Sequence, residues 1–453
     1  MAEIFKAYDI RGVYPDDLNE EIAYKIGRAF VKFLGVKEVL VGRDARLSSP
    51  SLFESLTRGI NEEGADVIDI GLASTPMFYF AASKAESGIM ITASHNPKQY
   101  NGFKMCRENA KPISYDTGIK EIKKLVEGFS NTTLYNESRV SESSFREKGR
   151  IVMRNVLEEF INFNLKFLKT DKKFKIVVDA GNGMGGFTFP KIFEKINNVE
   201  FIPLYCNVDF NFPNHEANPL DFKTLKDLQR KVVEENANFG VALDGDGDRC
   251  FFVDEKGEII NCDLIIALIA EIFLKENPGS NILYDLRSSK IVPEYIKEKQ
   301  GNPIMCRVGH TFIKEQMRNE NASFAGELSG HFYYKDHFFT ESTFLTVVMV
   351  LNLMDEKNKQ ISELVSGLKK YYSSGEINSK VENKEAKIKE IEDMFKDADE
   401  ILYLDGLSVY YDDWWFNLRM SNTEPFLRLN LEANTKELME KKRDKLLEII
   451  RSG

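Results

Sequence analysis

Phe239-Gly240-Val241-Ala242-Leu243-Asp244-Gly245-Asp246-Gly247-Asp248-Arg249-Cys250-Phe251-Phe252-Val253 sets the terms for the rest of the chain. An apolar run of strand length ends in three carboxylates at alternate positions, and a second apolar run follows at once. Gly245 and Gly247 let the backbone curl so that Asp244, Asp246 and Asp248 can face one point. Carboxylates so close repel one another unless a cation neutralises them, and Mg²⁺ wants hard oxygen ligands in a near-octahedral shell. A solvated surface turn would leave that repulsion standing. An EF-hand is the sharper rival: counted from Asp244, acids fall at positions 1, 3 and 5, and Glu255 falls at 12. Position 6 is Arg249, where such a loop needs glycine for its turn, and the flanks read as strands. Arg249 is better read as a partner for the carboxylates or for a substrate oxygen.

Similar apolar runs recur. Val39–Gly42, Gly88–Thr92, Lys175–Asp179 and Ile282–Asp285 read as strands that run into Gly, Asp or Ser. Glu20–Leu34 and Leu220–Asn236 carry helical patterns between them. This alternation predicts α/β layers, with the chemistry in loops at the C-terminal ends of strands. The 453 residues are too many for one core, and length alone suggests about three domains. The polar segment Asn131–Lys148 suits a linker. Asp254-Glu255-Lys256-Gly257 suits a boundary or a hairpin tip, and a third break falls near Tyr372. A faint recurrence of strand, Gly- or Ser-rich loop and helix hints at domains built alike.

The net charge of −10 argues against nucleic acid or an anionic membrane as the main partner. It leaves room for an anionic substrate held by a local cluster of Arg and Lys. The 5 cysteines are scattered without a C-x-x-C, which predicts reduced thiols and a cytoplasmic setting rather than disulfides or zinc. No apolar signal region opens the chain. The apolar stretches Leu264–Leu274 and Phe344–Leu351 are too short to span a bilayer.

Far upstream of the carboxylates, Thr92-Ala93-Ser94-His95-Asn96-Pro97 places a hydroxyl in a short polar loop after a strand. Pro97 restricts Asn96 and tightens the loop. Ser94 can accept a phosphoryl group if a cation neutralises the charge, although a loop serine is more often a turn or cap residue. Lys104 adds a mobile cation able to act as acid, base or charge clamp. Gly181-Asn182-Gly183-Met184-Gly185-Gly186 matches G-x-G-x-x-G, with Asp209 downstream, so a nucleotide-binding oxidoreductase is a second reading. It leaves the Asp244 loop unexplained. In Gly326-Glu327-Leu328-Ser329-Gly330-His331, Glu327 and Ser329 can fork onto adjacent sugar hydroxyls, and His331 can move a proton; a polar loop with a capping serine is the plainer reading. Arg419-Met420-Ser421-Asn422-Thr423-Glu424-Pro425 combines a planar donor, hydroxyls, an amide and backbone N–H groups that hold a phosphate without a metal, or else starts a capped helix.

Together these segments resemble the α-D-phosphohexomutase superfamily, above all its phosphomannomutase/phosphoglucomutase branch. Tyr8-Asp9-Ile10-Arg11-Gly12, Gly42-Arg43-Asp44-Ala45-Arg46 and Phe212-Pro213-Asn214-His215-Glu216 match further signatures. The resemblance covers nearly the whole chain in the family's order. It implies four domains around a central cleft: three similar mixed α/β domains and a smaller α+β C-terminal domain. These are expected at 1–147, 148–254, 255–370 and 371–453, carrying in turn the serine, metal, sugar and phosphate loops. The implied reaction is reversible phosphoryl transfer between the 1- and 6-positions of mannose or glucose phosphates. It runs through phosphoserine at Ser94 and a hexose 1,6-bisphosphate, which also serves as activator. Mg²⁺ is implied at Asp244, Asp246 and Asp248, with a phosphate oxygen on Ser94 completing the shell. Arg11, Lys104 and His331 are implicated in proton transfer or in steering the intermediate. Tyr8, Arg249, Arg287, Gly309, His310, Glu327, Ser329, Arg419, Ser421, Asn422, Thr423 and Arg428 are implied in binding substrate, with Gly309 and His310 near sugar position 1. The family often carries lysine where Arg287 stands; arginine keeps the charge and changes the donor geometry. The implied partners are small hexose phosphates, for a monomer or homodimer. Glucosamine or N-acetylglucosamine phosphates as substrates, and a Mg-dependent phosphatase, stay open as alternatives.

Overall fold

The strands expected from the sequence form, and they assemble into sheets of one recurring plan. The computed structural model describes residues 4–129, 148–421 and 426–452. The linker expected from Asn131 lies outside them up to residue 147. The first sheet runs in the order Ile10–Val13, Tyr100–Arg107, Ser87–Ile91, Glu38–Arg43, Asp66–Leu72, Ile151–Met153. The second runs Ile259–Ile260, Cys250–Asp254, Phe239–Leu243, Phe174–Asp179, Val199–Leu204. The third runs Thr340–Glu341, Phe332–Tyr334, Phe324–Gly326, Asn281–Asp285, Asn302–Cys306.

In each, a parallel trio is followed by a hairpin back into an antiparallel strand, with Ile91 opposite Phe103, Leu243 opposite Cys250 and Gly326 opposite Phe332. The segments that join those strands are the Ser94 loop, the Asp244–Arg249 loop and the Glu327–His331 loop. Three chemically different loops thus occupy one topological position in three similar units. The fourth sheet is antiparallel throughout. It contains Tyr372–Ser373, Phe426–Ala433, Trp414–Met420, Leu407–Tyr410 and Glu400–Leu402, and Ile377–Lys380 also pairs with Phe426–Ala433. Its own apolar cluster includes Leu407, Phe416, Leu429 and, from the helix Lys436–Arg451, Ile450. Three α/β units and a distinct C-terminal α+β unit are therefore present.

Sheet pairing sets where each unit stops. Ile151–Met153 adds to the first sheet beyond residue 147, and Ile259–Ile260 adds to the second beyond residue 254. Asp254–Gly257 is accordingly a hairpin tip, with Gly257 at φ 84. The helix Glu20–Leu34 forms as its pattern predicts: Asn19 accepts the Ile22 N–H, and Gly35 ends it at φ 68. A Cβ on Gly59, in the helix Ser49–Glu62, would lie 2.1 Å from the Tyr24 carbonyl oxygen, so these two helices cross in close contact. The helix expected over Leu220–Asn236 is shorter. Asp221 accepts the Lys223 N–H and winds Phe222–Leu225 into a 3₁₀ turn before the α-helix Lys226–Glu234. The two apolar stretches become the buried helices Cys262–Glu276 and Thr343–Lys357. No helix of the described residues is long and apolar enough to cross a membrane.

One apolar cluster runs through the first three units, from Phe78 and Phe80 through Phe160 and Ile176 to Ile266, Phe324 and Val347. It ties the three functional loops to a shared base. His337 sits at its margin among the rings of Phe160, Phe163 and Phe338. Its Nδ1 meets Thr340 Oγ1 at 2.9 Å, and its Nε2 has no hydrogen-bond partner. Burial pushes its pKa down to about 3. A histidine held neutral this way stabilises the fold fully above its ordinary pKa of about 6.5, and that contribution is lost as pH falls from there toward 3. His337→Phe is expected to flatten the acid limb of urea stability between those pH values. An acid limb of unchanged slope would contradict this account.

Candidate functional site

The strand Phe239–Leu243 delivers Asp244 into a loop that folds over its carboxylate. Asp244 Oδ1 accepts the N–H groups of Asp248 at 3.0 Å and Arg249 at 3.1 Å. The three carboxylates are buried, and each offers an oxygen within 4.8 Å of the others. Burial and then the charges of Asp248 and Asp246 push the Asp244 pKa well up, the mark of a site short of positive charge. Asp246 Oδ1 is buried without a hydrogen-bond partner. An all-carboxylate set with an orphaned oxygen suits a hard divalent cation such as Mg²⁺.

The first unit supplies the other half of the centre. Ser94 Oγ donates to Asp244 Oδ2 at 2.8 Å and lies 3.3 Å from His95 Nδ1. The backbones also meet, since a Cβ on Gly245 would lie 2.5 Å from the Ser94 carbonyl oxygen. Ser94 itself adopts φ 49, uncommon for a residue other than glycine. Thr92 Oγ1 accepts its N–H at 3.0 Å. The fully buried Arg46 anchors the loop by donating to the carbonyls of Ser94, Asn96, Pro97 and Tyr100 at 2.7–3.0 Å. Asp44 pairs with Arg46 at 3.2 Å.

Lys104 Nζ lies 2.8 Å from Asp246 Oδ2 and also pairs with Asp248. Burial would lower its pKa, but the two carboxylates outweigh that and raise it, so Lys104 is an ammonium ion. The helix Thr75–Ala82 points its N-terminus at the same loop. Thr75 donates its N–H to the Asp246 carbonyl at 2.9 Å and its Oγ1 hydrogen to Oδ2 at 2.6 Å. From the third unit, His331 bridges Asp248 Oδ1 at 3.2 Å and Glu327 Oε2 at 2.8 Å. Burial and Arg249 press its pKa down; Asp248 and Glu327 prevail and raise it to about 9. Burial likewise opposes ionisation of Glu327, yet His331, Arg287 and Tyr333 hold it down at about 2. His331 thus lies between two carboxylates, both of which favour its protonated form.

Beside this centre lies a cavity of about 920 Å³, lined by residues of all four units. Within its lining, Glu327 accepts the Gly309 N–H at 3.1 Å and the Tyr333 hydroxyl at 2.6 Å. Gly309 has φ 128, and a Cβ there would lie 2.5 Å from the Tyr8 ring, whose hydroxyl donates to Val308 at 3.2 Å. His310 Nδ1 is buried without a hydrogen-bond partner, 3.7 Å from Glu341. Ser329 Oγ lies 3.3 Å from His331 Nδ1, and Arg249 joins the Asp244 carboxylate at 3.6 Å to the Ser329 carbonyl at 3.5 Å. Arg11 pairs with Asp9 and turns to the serine loop, donating to Asn96 Oδ1 at 2.6 Å. At the far end, Arg287, Arg419 and Arg428 converge on Glu376, and Arg428 reaches Ser421 Oγ at 3.4 Å. Asn422 and Thr423 lie outside the described residues.

Thr75, Tyr333 and Glu376 are contributors with no local sequence signal, since each acts on a residue brought near only by folding. The glycine-rich turn Gly181–Gly186 has another use. The Met184 N–H donates to the Gly245 carbonyl at 2.8 Å, and a Cβ on Gly183 would lie 2.7 Å from that oxygen. The glycines let this turn back the carboxylate loop closely, which accounts for the motif without a nucleotide.

Comparison with known proteins agrees with this arrangement. Residues 2–132, 154–257, 261–371 and 376–449 match, in order, the families described as phosphoglucomutase/phosphomannomutase alpha/beta/alpha domains I, II and III and C-terminal domain. The chain is 42% identical over 449 residues to a phosphomannomutase of Methanocaldococcus jannaschii, covering 99% of this chain and 97% of that one. It is 39% identical over 439 residues to a phosphomannomutase of Escherichia coli K12, covering 95% and 94%. A crystal structure of a phosphoglucomutase/phosphomannomutase family protein from Burkholderia thailandensis superposes with a TM-score of 0.89 at 33% identity, covering 99% of this chain and 97% of that one.

Removing the Arg46 side chain would leave a buried carboxylate and several carbonyls without their donor. Arg46→Leu is expected to cost roughly 3–5 kcal/mol of unfolding free energy in urea titrations. A loss below about 1 kcal/mol, the ordinary size of a solvent-exposed ion pair, would contradict the anchoring role.

Proposed function

The chain belongs to the phosphoglucomutase/phosphomannomutase family and is a phosphohexomutase, and on that premise we propose that it interconverts the 1- and 6-phosphates of mannose, and of glucose as a second sugar, with Ser94 as the phosphoryl carrier. The observation that carries this reading is the 2.8 Å contact between Ser94 Oγ and Asp244, made across two units inside a ring of buried carboxylates. Relatives named phosphomannomutase support mannose as the first sugar. Asp244, Asp246 and Asp248 would hold Mg²⁺, which supplies Lewis-acid neutralisation of phosphoryl oxygens.

In the forward half-reaction the free hydroxyl of a hexose monophosphate bonds to phosphorus, its proton leaves, and the bond from phosphorus to Ser94 Oγ breaks. Ser94 regains a proton. The resulting hexose 1,6-bisphosphate turns end for end; Ser94 Oγ then bonds to the other phosphorus and gives up its proton, the bond from that phosphorus to the sugar oxygen breaks, and the sugar oxygen takes up a proton to become a hydroxyl. Lys104 as ammonium and His331 as imidazolium meet the charge on the transferring group, so catalysis is chiefly positioning and electrostatics. Arg11 steadies the serine loop through Asn96. Glu327 and Ser329 hold sugar hydroxyls in either orientation. Tyr8, Gly309 and His310 shape the wall near the sugar, Arg249 ties the Asp loop to the sugar loop, and Arg287, Arg419, Ser421 and Arg428, with Asn422 and Thr423, take the phosphate that is not reacting.

A coupled assay with mannose 1-phosphate and glucose 1-phosphate, Mg²⁺ and a trace of the 1,6-bisphosphate tests the reading. Turnover of mannose 1-phosphate is expected, and it should fall about 10³-fold or more in Ser94→Ala, the scale of losing a principal catalytic contact, and equally in excess EDTA. Full activity in Ser94→Ala would overturn the carrier assignment. Undiminished turnover in EDTA would remove the metal role, and phosphate release without isomer formation would replace the mutase by a phosphatase.

A further inference from the structure

We propose that Glu376 acts as an internal anion in the phosphate subsite, competing with the substrate's non-reacting phosphate for the same arginines and so easing its release. The inference rests on the phosphate-site reading above. Glu376 stands just before the strand Ile377–Lys380, at the junction of the third and fourth units. Its Oε2 lies 3.4 Å from Arg419 Nη2 and 3.5 Å from Arg287 Nη1, and its Oε1 lies 3.4 Å from Arg428 Nη1. Burial pushes its pKa up, but the guanidiniums, Arg287 foremost, outweigh that and hold it below the usual range, so the carboxylate stays charged.

The distances carry the argument. A guanidinium free to close on a carboxylate does so at about 2.7–2.9 Å, and Arg287 reaches that distance on Asp285, at 2.8 Å. None of the three arginines closes so far on Glu376. They are spread around a group too small to fill the space between them, whereas a phosphate presents three terminal oxygens to the same donors. Nε of Arg419 is buried with no hydrogen-bond partner, a donor left over for a further acceptor. All four side chains line the substrate cavity.

Charge balance gives the contact a purpose. Asp285 already pairs with Arg287 at 2.8 Å, and Glu376 sets one further negative charge against Arg419 and Arg428. Removing that charge would raise the positive potential met by an incoming dianion. Tighter phosphate binding in every state would deepen the ground state without speeding chemistry. The bisphosphate must also let go of this subsite in order to turn round. A resident carboxylate weakens the grip and keeps the arginines paired while the phosphate is away.

The test is calorimetric binding of inorganic phosphate to the full-length chain, beside steady-state kinetics. Glu376→Gln is expected to bind phosphate about five-fold or more tightly, by removal of a nearby like charge, and to lower KM for the hexose phosphate without raising kcat. Glu376→Asp keeps the charge and should stay near the parent affinity. Unchanged or weaker phosphate binding in Glu376→Gln, in protein whose Tm matches the parent, would overturn the proposal, because a merely structural glutamate would raise KM when removed. Arg419→Ala separates the two readings. If it raises KM and weakens phosphate binding while Glu376→Gln does not tighten it, only the role of Glu376 fails. If Arg419→Ala changes neither, the phosphate-site reading fails instead.

Discussion

Burying three carboxylates in one six-residue loop is the constraint on which the rest of the structure depends. Asp244, Asp246 and Asp248 are fully buried, and such a cluster is costly unless every charge is met. Its partners do not come from its own unit alone. The first unit contributes Lys104, Thr75 and Ser94, and the third contributes His331. The charge requirement is therefore also an assembly requirement, and the carboxylate centre doubles as the junction of three units. The apolar cluster that runs through those units supplies the rigid base this junction needs.

The recurring plan explains how such a centre can be built. In three sheets the chain leaves a parallel strand, makes a short loop and returns antiparallel. The strand order also places an aspartate at the C-terminal end of the middle parallel strand each time. Asp44, Asp179 and Asp285 accept the N–H two residues on, at 3.0, 2.9 and 2.7 Å. These aspartates fix the neighbouring turn in each unit, and the turns then diverge. Asp44 also pairs with Arg46 beneath the serine loop, Asp179 braces the glycine turn behind the Asp loop, and Asp285 orients Arg287 at the cavity. One scaffold repeated three times thus brings a hydroxyl, a carboxylate set and Glu327 close together; His95, Arg249 and Glu327 from the three loops line the cavity beside the carboxylates, and the antiparallel fourth unit adds Arg419 and Arg428.

Much of this was legible in the sequence because the loops announce themselves by chemistry. Asp-Gly-Asp-Gly-Asp between two apolar runs has few satisfactory alternatives in a folded chain, and the serine before His-Asn-Pro, more often a turn or cap residue by itself, gains its meaning from that loop. The strands were legible for the same reason, since their apolar runs end at Gly, Asp or Ser. What the sequence hid depends on distance in space. Thr75 is separated from Asp246 by 171 positions, and nothing local marks it as more than a helix start. Arg46 was visible only as part of a signature; its four carbonyl partners exist once the serine loop has folded over it. Glu376 lies in an unremarkable Ser-Gly-Glu and gains its meaning from arginines on other strands. The glycine turn at Gly181–Gly186 offered a second reading because closeness to a pyrophosphate and closeness to another backbone ask the same thing of a glycine. The helix expected from Leu220 began late because Asp221 satisfied the backbone locally first.

The whole reading of the site turns on Ser94 carrying the phosphoryl group between the two sugar positions. The most direct measurement is mass-spectrometric mapping of the intact chain after brief incubation with hexose 1,6-bisphosphate and Mg²⁺. A single added phosphoryl group is expected on the peptide containing Ser94, removed again by excess hexose monophosphate. Phosphate on another side chain, or an unlabelled chain that still turns substrate over, would contradict it.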